Sequence, residues 1–315
     1  MTTLTHDTAV RSRLRSGLLF ALLSASSFGL SGPLARGLMN AGWTSAAAVA
    51  VRVLLAAAVL APFAAIQLRG DWKPVRENMK LLVAYGLLAV AGTQLTFFNA
   101  VAHMEVGVAL LVEFTAPIAV VGWLWLNKGE KPGALTVFGA VLGLLGLVLV
   151  LDLVSGLSAT GVGLLWALGS MVGAAFYFVL SAHGGEAVPG TVLAAGGLLI
   201  GGLALLAVGA IGILPLRMTT NPVVFQDFTV AWWIPLLVLG VVTGALSYVS
   251  GIAATRRLGS RLASFVALSE VLAALIFAWL LLGEAPGLIQ LFGGALILAG
   301  VIIVRLGEPA LTEAG

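Results

Sequence analysis

The octet Gly17-Leu18-Leu19-Phe20-Ala21-Leu22-Leu23-Ser24 returns as Gly163-Leu164-Leu165-Trp166-Ala167-Leu168-Gly169-Ser170, offset by 146 residues. A second series returns at an offset of 154. There Trp125, Gly129, Glu130, Pro132, Phe138, Gly139 and Gly146 become Trp279, Gly283, Glu284, Pro286, Phe292, Gly293 and Gly300. The eight additional residues fit the long connection between about Pro215 and Val230. Gly and Leu coincide by chance in apolar chains, but Trp, Glu, Pro and Phe in a fixed order do not. The chain therefore reads as an internal duplication.

Around these matches, 60% of the 315 residues are hydrophobic and 9% are charged. A soluble domain carries about 25% charged residues, so the solvent for this surface is lipid. The 40 glycines suit membrane helices, which approach closely where side chains are small. The absence of cysteine excludes disulfides, thiolate metal sites and thiol catalysis. The net charge of +3 arises in loops and forms no basic stripe, so no nucleic-acid partner is expected. No phosphate-cradling loop is present: Gly139, Gly143 and Gly146 fall inside a span and read as helix packing. No cofactor and no metal are expected. The segment from Ser16 to Met39 is too long for a signal-peptide core and reads as a retained helix.

A membrane helix needs about 20 apolar residues. Ten stretches qualify: 16–39, 43–67, 80–102, 105–126, 133–152, 160–182, 189–213, 231–254, 262–282 and 287–305. With the N-terminus inside, thirteen Lys and Arg residues fall on the cytoplasmic side and two, Arg36 and Arg217, outside. That bias orients the chain and supports an even number of spans. Five spans per half is odd, so the second half enters the membrane from the opposite side. The sequence predicts an all-α polytopic membrane protein with ten transmembrane helices arranged as two inverted five-helix repeats. The repeats occupy 16–152 and 160–305, and the tails 1–15 and 306–315 are both cytoplasmic.

Arg52, Glu113 and Glu270 alone are ionisable and deep within spans. Each lies some eight to ten residues from a span end, which at 1.5 Å per residue is near mid-depth. Charge there is costly and normally faces a bundle interior or a wet cavity. Glu113 and Glu270 are candidates for proton exchange or amine binding, and Arg52 for a counter-charge or a substrate contact. A purely structural role, locking helices together, competes for each. Polar residues at helical spacing form stripes. Ser24, Ser27 and Ser31 share one face of span one, and the repeat maps them onto Ser170, Gly173 and Tyr177. Thr96, Asn99 and His103 mark span three; Thr243, Ser247 and Ser250 mark span eight. Together they outline a cavity to which Gln94, Tyr248 and Trp166 are added as candidates. Against that stands the habit of Ser and Thr hydroxyls to bond back to their own helix. Pro33 and Pro117 interrupt spans one and four, freeing backbone carbonyls and offering hinges.

Each half ends in a helix, a Gly-Glu turn with a nearby Pro and a Gly-rich final helix. This organisation resembles the EamA-type branch of the drug/metabolite transporter superfamily. Leu110-Leu111-Val112-Glu113-Phe114-Thr115-Ala116-Pro117 is similar to the acidic-Phe-x-x-Pro segment of the threonine/homoserine exporter group. Leu268-Ser269-Glu270 with Gly283-Glu284 is similar to a Leu-x-Glu-Pro…Gly-Glu pattern, except that Val271 stands where that pattern has Pro. A weaker kink is expected there. The resemblance implies a secondary active transporter in the cell (inner) membrane. It would export amino acids or related small metabolites by alternating access, with protons as the candidate coupling ion. A facilitative carrier, a drug or purine exporter of the same fold, and a non-transporting receptor or scaffold are the competing readings. Enzymatic activity is not expected, since His103 with Glu105 is too sparse a catalytic cluster.

Overall fold

Lipid offers the backbone no hydrogen bonds, so apolar runs of this length close their own ladders as helices. A computed structural model describes residues 2–103, 112–150, 161–182, 188–283, 285 and 287–307. The start of the fourth expected span (with Leu110 and Leu111), the 151–160 connection, Glu284, Pro286 and the tail beyond 307 lie outside the described residues. The described chain is almost wholly helical. Six runs are long and apolar enough to cross a membrane: Ser12–Asn40, Ser45–Leu68, Met79–Phe97, Gly161–Ala182, Gly190–Ala210 and Trp233–Ala267. Four shorter apolar helices are Ala116–Asn127, Ala134–Leu149, Ser269–Leu282 and Leu288–Val304. Large apolar side chains such as Leu19, Phe63, Leu165 and Phe292 cover the outer surface, as in a bundle wetted by lipid.

The first expected span is two helices, α1 (Thr2–Gly29) and α2 (Ser31–Asn40). Pro33 has no N–H for the Gly29 carbonyl four residues back, and its ring crowds that carbonyl, so α1 ends there. The helix α3 (Ser45–Leu68) starts on Thr44, whose side chain accepts from the Ala47 N–H. A short α4 (Lys73–Glu77) leads into α5 (Met79–Ala84), a π-helical segment at Tyr85–Gly92 and α6 (Thr93–His103). Pro117 acts on Glu113 as Pro33 acts on Gly29, and the chain turns at Phe114-Thr115 before α7 (Ala116–Lys128). Then come α8 (Ala134–Val150), α9 (Gly161–Ala182) and α10 (Gly190–Ala210).

Between α10 and the next helix, Val223–Val224 and Thr229–Val230 pair as a short antiparallel hairpin. Its segment is tied to the α2–α3 turn by Trp43 Nε1 donating to the Thr219 carbonyl (2.8 Å) and Thr219 Oγ1 donating to the Ala41 carbonyl (2.7 Å). The chain resumes as α11 (Trp233–Gly240), a second π-helical segment at Val241–Leu246, and α12 (Ser247–Ala267), which breaks at Gly259 with φ 81°. The last helices are α13 (Ser269–Leu282) and α14 (Leu288–Gly307).

The turn at Leu268 forms although Val271 is not proline. Ser269 Oγ donates to the Val266 carbonyl at 2.7 Å and so competes with the helix ladder. The helices α8 and α14 approach closely: a Cβ placed on Gly139 would stand 2.7 Å from the Gly300 carbonyl oxygen. The glycines of the final helices serve this contact.

Candidate functional site

The interruptions in the helices position the charges. Glu113 stands just before the N-terminus of α7, and Glu270 lies in the first turn of α13. The positive end of a helix dipole favours a carboxylate at both places. Both side chains are half-buried and flanked by apolar sequence. Glu113 Oε2 accepts a hydrogen bond from Ser170 Oγ at 2.7 Å. Glu270 lies within the electrostatic reach of Glu113 and Arg52.

Arg52 is 9% exposed. Its Nη2 donates to the Thr243 carbonyl at 2.8 Å, and the Phe28 ring lies 5.5 Å from its Cζ. Thr243 sits inside the second π segment, where widening of the helix turns carbonyls away from the usual ladder. Ser247 Oγ donates to the same carbonyl. Ser24 Oγ in turn donates to the Ser247 carbonyl at 2.8 Å.

Aromatic rings close the cluster. Phe28 meets Tyr248 edge-on at 5.2 Å, Tyr248 meets Tyr177 at 5.7 Å, and Tyr177 meets Tyr85 at 6.0 Å. The chain has three tyrosines, and all three stand in this column. The buried Tyr177 and Tyr85 hydroxyls make no well-formed hydrogen bond; Ser24 and Ser181 are the side-chain oxygens facing them.

The structure thus brings together Arg52, Glu113, Glu270, Tyr177, Tyr248 and Ser247 among the residues singled out from sequence. Ser27 is buried one turn beyond Ser24, and Ser31 and Gln94 are half-buried. Asn99 Nδ2 turns back to the Leu95 carbonyl at 2.7 Å. Trp166 lies one turn before Ser170 on the same helical face but is 37% exposed. Among the described residues, none of these five hydrogen-bonds the charged cluster. The Thr96 and Thr243 hydroxyls bond within their own helices, to the Gly92 and Leu239 carbonyls, and Ser250 does likewise with Leu246. Much of the polar striping is therefore backbone satisfaction. Sequence reading missed Phe28, Tyr85 and the role of Ser170 as donor to Glu113. The available signal was a tyrosine in the inner third of span three, where the one other polar residue is Lys80 at the span's end.

A buried guanidinium, two half-buried carboxylates and a tyrosine column at breaks in apolar helices define a multi-pass membrane protein with a polar centre. The model of the EamA-like transporter family matches residues 15–152 and again 161–306. The chain belongs to the EamA-like transporter family and is a membrane transporter.

It is 26% identical over 307 residues to the "Uncharacterized inner membrane transporter YicL" of Salmonella typhimurium, covering 93% of this chain and 96% of that one. It is 28% identical over 264 residues to an "Uncharacterized transporter" of Archaeoglobus fulgidus, covering 84% and 88%. A solved structure titled "Crystal structure of protein" superposes with a TM-score of 0.77 at 19% identity, covering 95% of this chain and 99% of that one. That similarity speaks to the fold.

Proposed function

We propose that this protein is a secondary carrier of ten spans in two inverted halves, 16–152 and 160–305, which exports amino acids or related small metabolites by alternating access. The inner (cell) membrane is the proposed location, as in the name of the Salmonella relative, with both termini cytoplasmic. The charged centre carries this reading: three ionisable groups are held in apolar helices at a cost that a purely structural bundle avoids.

Paired local structure supports the inverted halves. At an offset of 154, Thr115 Oγ1 donates to the Val112 carbonyl (2.6 Å) as Ser269 Oγ donates to that of Val266 (2.7 Å). The π segments end at Gly92 and Leu246, the same offset apart. Ser170 Oγ approaches the Thr93 carbonyl at 3.5 Å, and its counterpart Ser24 donates to Ser247. Left-handed Gly129 and Gly283 cap α7 and α13 alike. The family model's two matches divide the chain at the same place.

Glu113 is proposed as the group that answers to protonation, since among the described residues it alone of the two acids has a hydroxyl donor that can follow its charge state. Reconstituted liposomes with a pH jump and a panel of amino acids, purines and cationic drugs test the reading. Solute flux in the wild type that depends on the pH gradient, and loses that dependence in Glu113→Gln, is expected. Flux without any response to the gradient removes proton coupling and leaves a facilitative carrier. Binding without flux makes the protein a receptor.

A further inference from the structure

The two halves share a scaffold, and the charged residues depart from it. An offset of 146 sets Leu198 against Arg52 and Ala174 against Phe28. An offset of 154 sets Ala267 against Glu113, Ala116 against Glu270 and Gln94 against Tyr248. One half therefore packs a fully buried Leu198 where the other half holds a guanidinium. The scaffold does not require an arginine at this position.

Arg52 is also poorly satisfied for a buried cation. A guanidinium presents a rigid fork of N–H donors suited to a carboxylate. Among the described residues, Arg52 uses one, from Nη2 to a backbone carbonyl, and its buried Nε has no partner. The ion pairs among the described residues lie elsewhere, Lys73 with Glu77 and Arg261 with Glu130. Glu270 is close without pairing. A Cβ on Gly29 would stand 2.8 Å from the Glu270 carbonyl oxygen, and the adjoining Phe28 lies against Arg52. Each charge feels the other, yet no salt bridge joins them. The cation and the anion thus stand near one another without pairing, Glu270 half-buried and aromatic rings beside the cation.

We propose that Arg52 receives an anionic group of the transported solute and Glu270 its cationic group, so that the carrier selects small zwitterions carrying both, such as an α-amino acid. This rests on the carrier reading above. Losing either charge leaves the opposite protein charge unpaired in a low-dielectric centre, the situation in which sites discriminate most strongly.

The test uses the full-length chain in liposomes, first with a labelled pool of the standard amino acids. The fastest member is then compared with its amide, which lacks the anion, and its deaminated acid, which lacks the cation. The wild type should move the zwitterion faster than either by about tenfold or more. Arg52→Gln should bring acid and amide within about twofold while still rejecting the deaminated form. Glu270→Gln should do the reverse, and Arg52→Lys should keep the preference for the acid. An Arg52→Gln protein that slows all three solutes by one factor makes Arg52 structural and overturns the proposal. Arg52→Leu copies the residue of the other half and serves as the folding control; if both variants fail to fold, the proposal also falls. Flux of purines or cationic drugs but of no amino acid overturns it while the carrier reading stands. No flux of any solute removes the carrier reading itself.

Discussion

Replacing Gly146 with alanine tests the packing that supports the site. Its added Cβ would lie 2.5 Å from the Gly293 carbonyl oxygen, 2.7 Å from the Ile297 nitrogen and 2.9 Å from Leu296 Cβ. Ordinary contacts begin near 3.4 Å, so α8 and α14 must part by the better part of an ångström. Two of the three neighbours are backbone and cannot rotate away. Overpacking of this kind costs about 1–3 kcal/mol. Alanine also recovers about 0.5–1 kcal/mol of helix-forming tendency, which must be subtracted. Gly122 in α7 isolates that second contribution, because a Cβ there meets nothing within 4 Å.

Thermal unfolding in one detergent should therefore place Gly146→Ala below wild type and Gly122→Ala at or above it. A net loss near 1–2 kcal/mol corresponds to several degrees in a domain of moderate size. Flux per folded molecule should not change, since α8 and α14 carry none of the charged site residues. A Gly146→Ala protein as stable as Gly122→Ala would refute the close approach, and with it the explanation of the glycines in the final helix of each half.

Two further outcomes bear on mechanism. Ser170→Ala removes the hydroxyl that donates to Glu113, and Ser24→Ala removes its repeat counterpart, for which the position equivalent to Glu113 is Ala267. The pH profile of flux should move in Ser170→Ala and stay put in Ser24→Ala; identical profiles in all three proteins would take Glu113 out of the coupling step. The chain has no cysteine, so Ser181→Cys is a single reporter beside the tyrosine column. Ser181 is fully buried, and maleimide labelling should be slow at rest and accelerate when a transported solute is supplied. Labelling that ignores the solute would exclude the Tyr85–Ser181 region from the moving gate.

The Thr and Ser stripes show how local sequence underdetermines packing: they suggested a wet lining, and several of their hydroxyls bond to their own helices. A hydroxyl that can satisfy its own helix or line a cavity reads the same in sequence.

Membrane residence, the helical class, the duplication and the isolation of Arg52, Glu113 and Glu270 in apolar sequence were legible from the chain alone, because they depend on composition, period and spacing along one dimension. Pro33 and Pro117 likewise announced their breaks, since a missing N–H acts on a carbonyl four residues away. The meeting of Phe28, Arg52, Tyr85, Tyr177, Tyr248 and Glu270 was not legible. It depends on which faces of separate helices turn toward one another, and on two π segments that redirect carbonyls such as that of Thr243. Those are properties of packing between distant segments, where a change of one residue in register would point the same side chains into lipid.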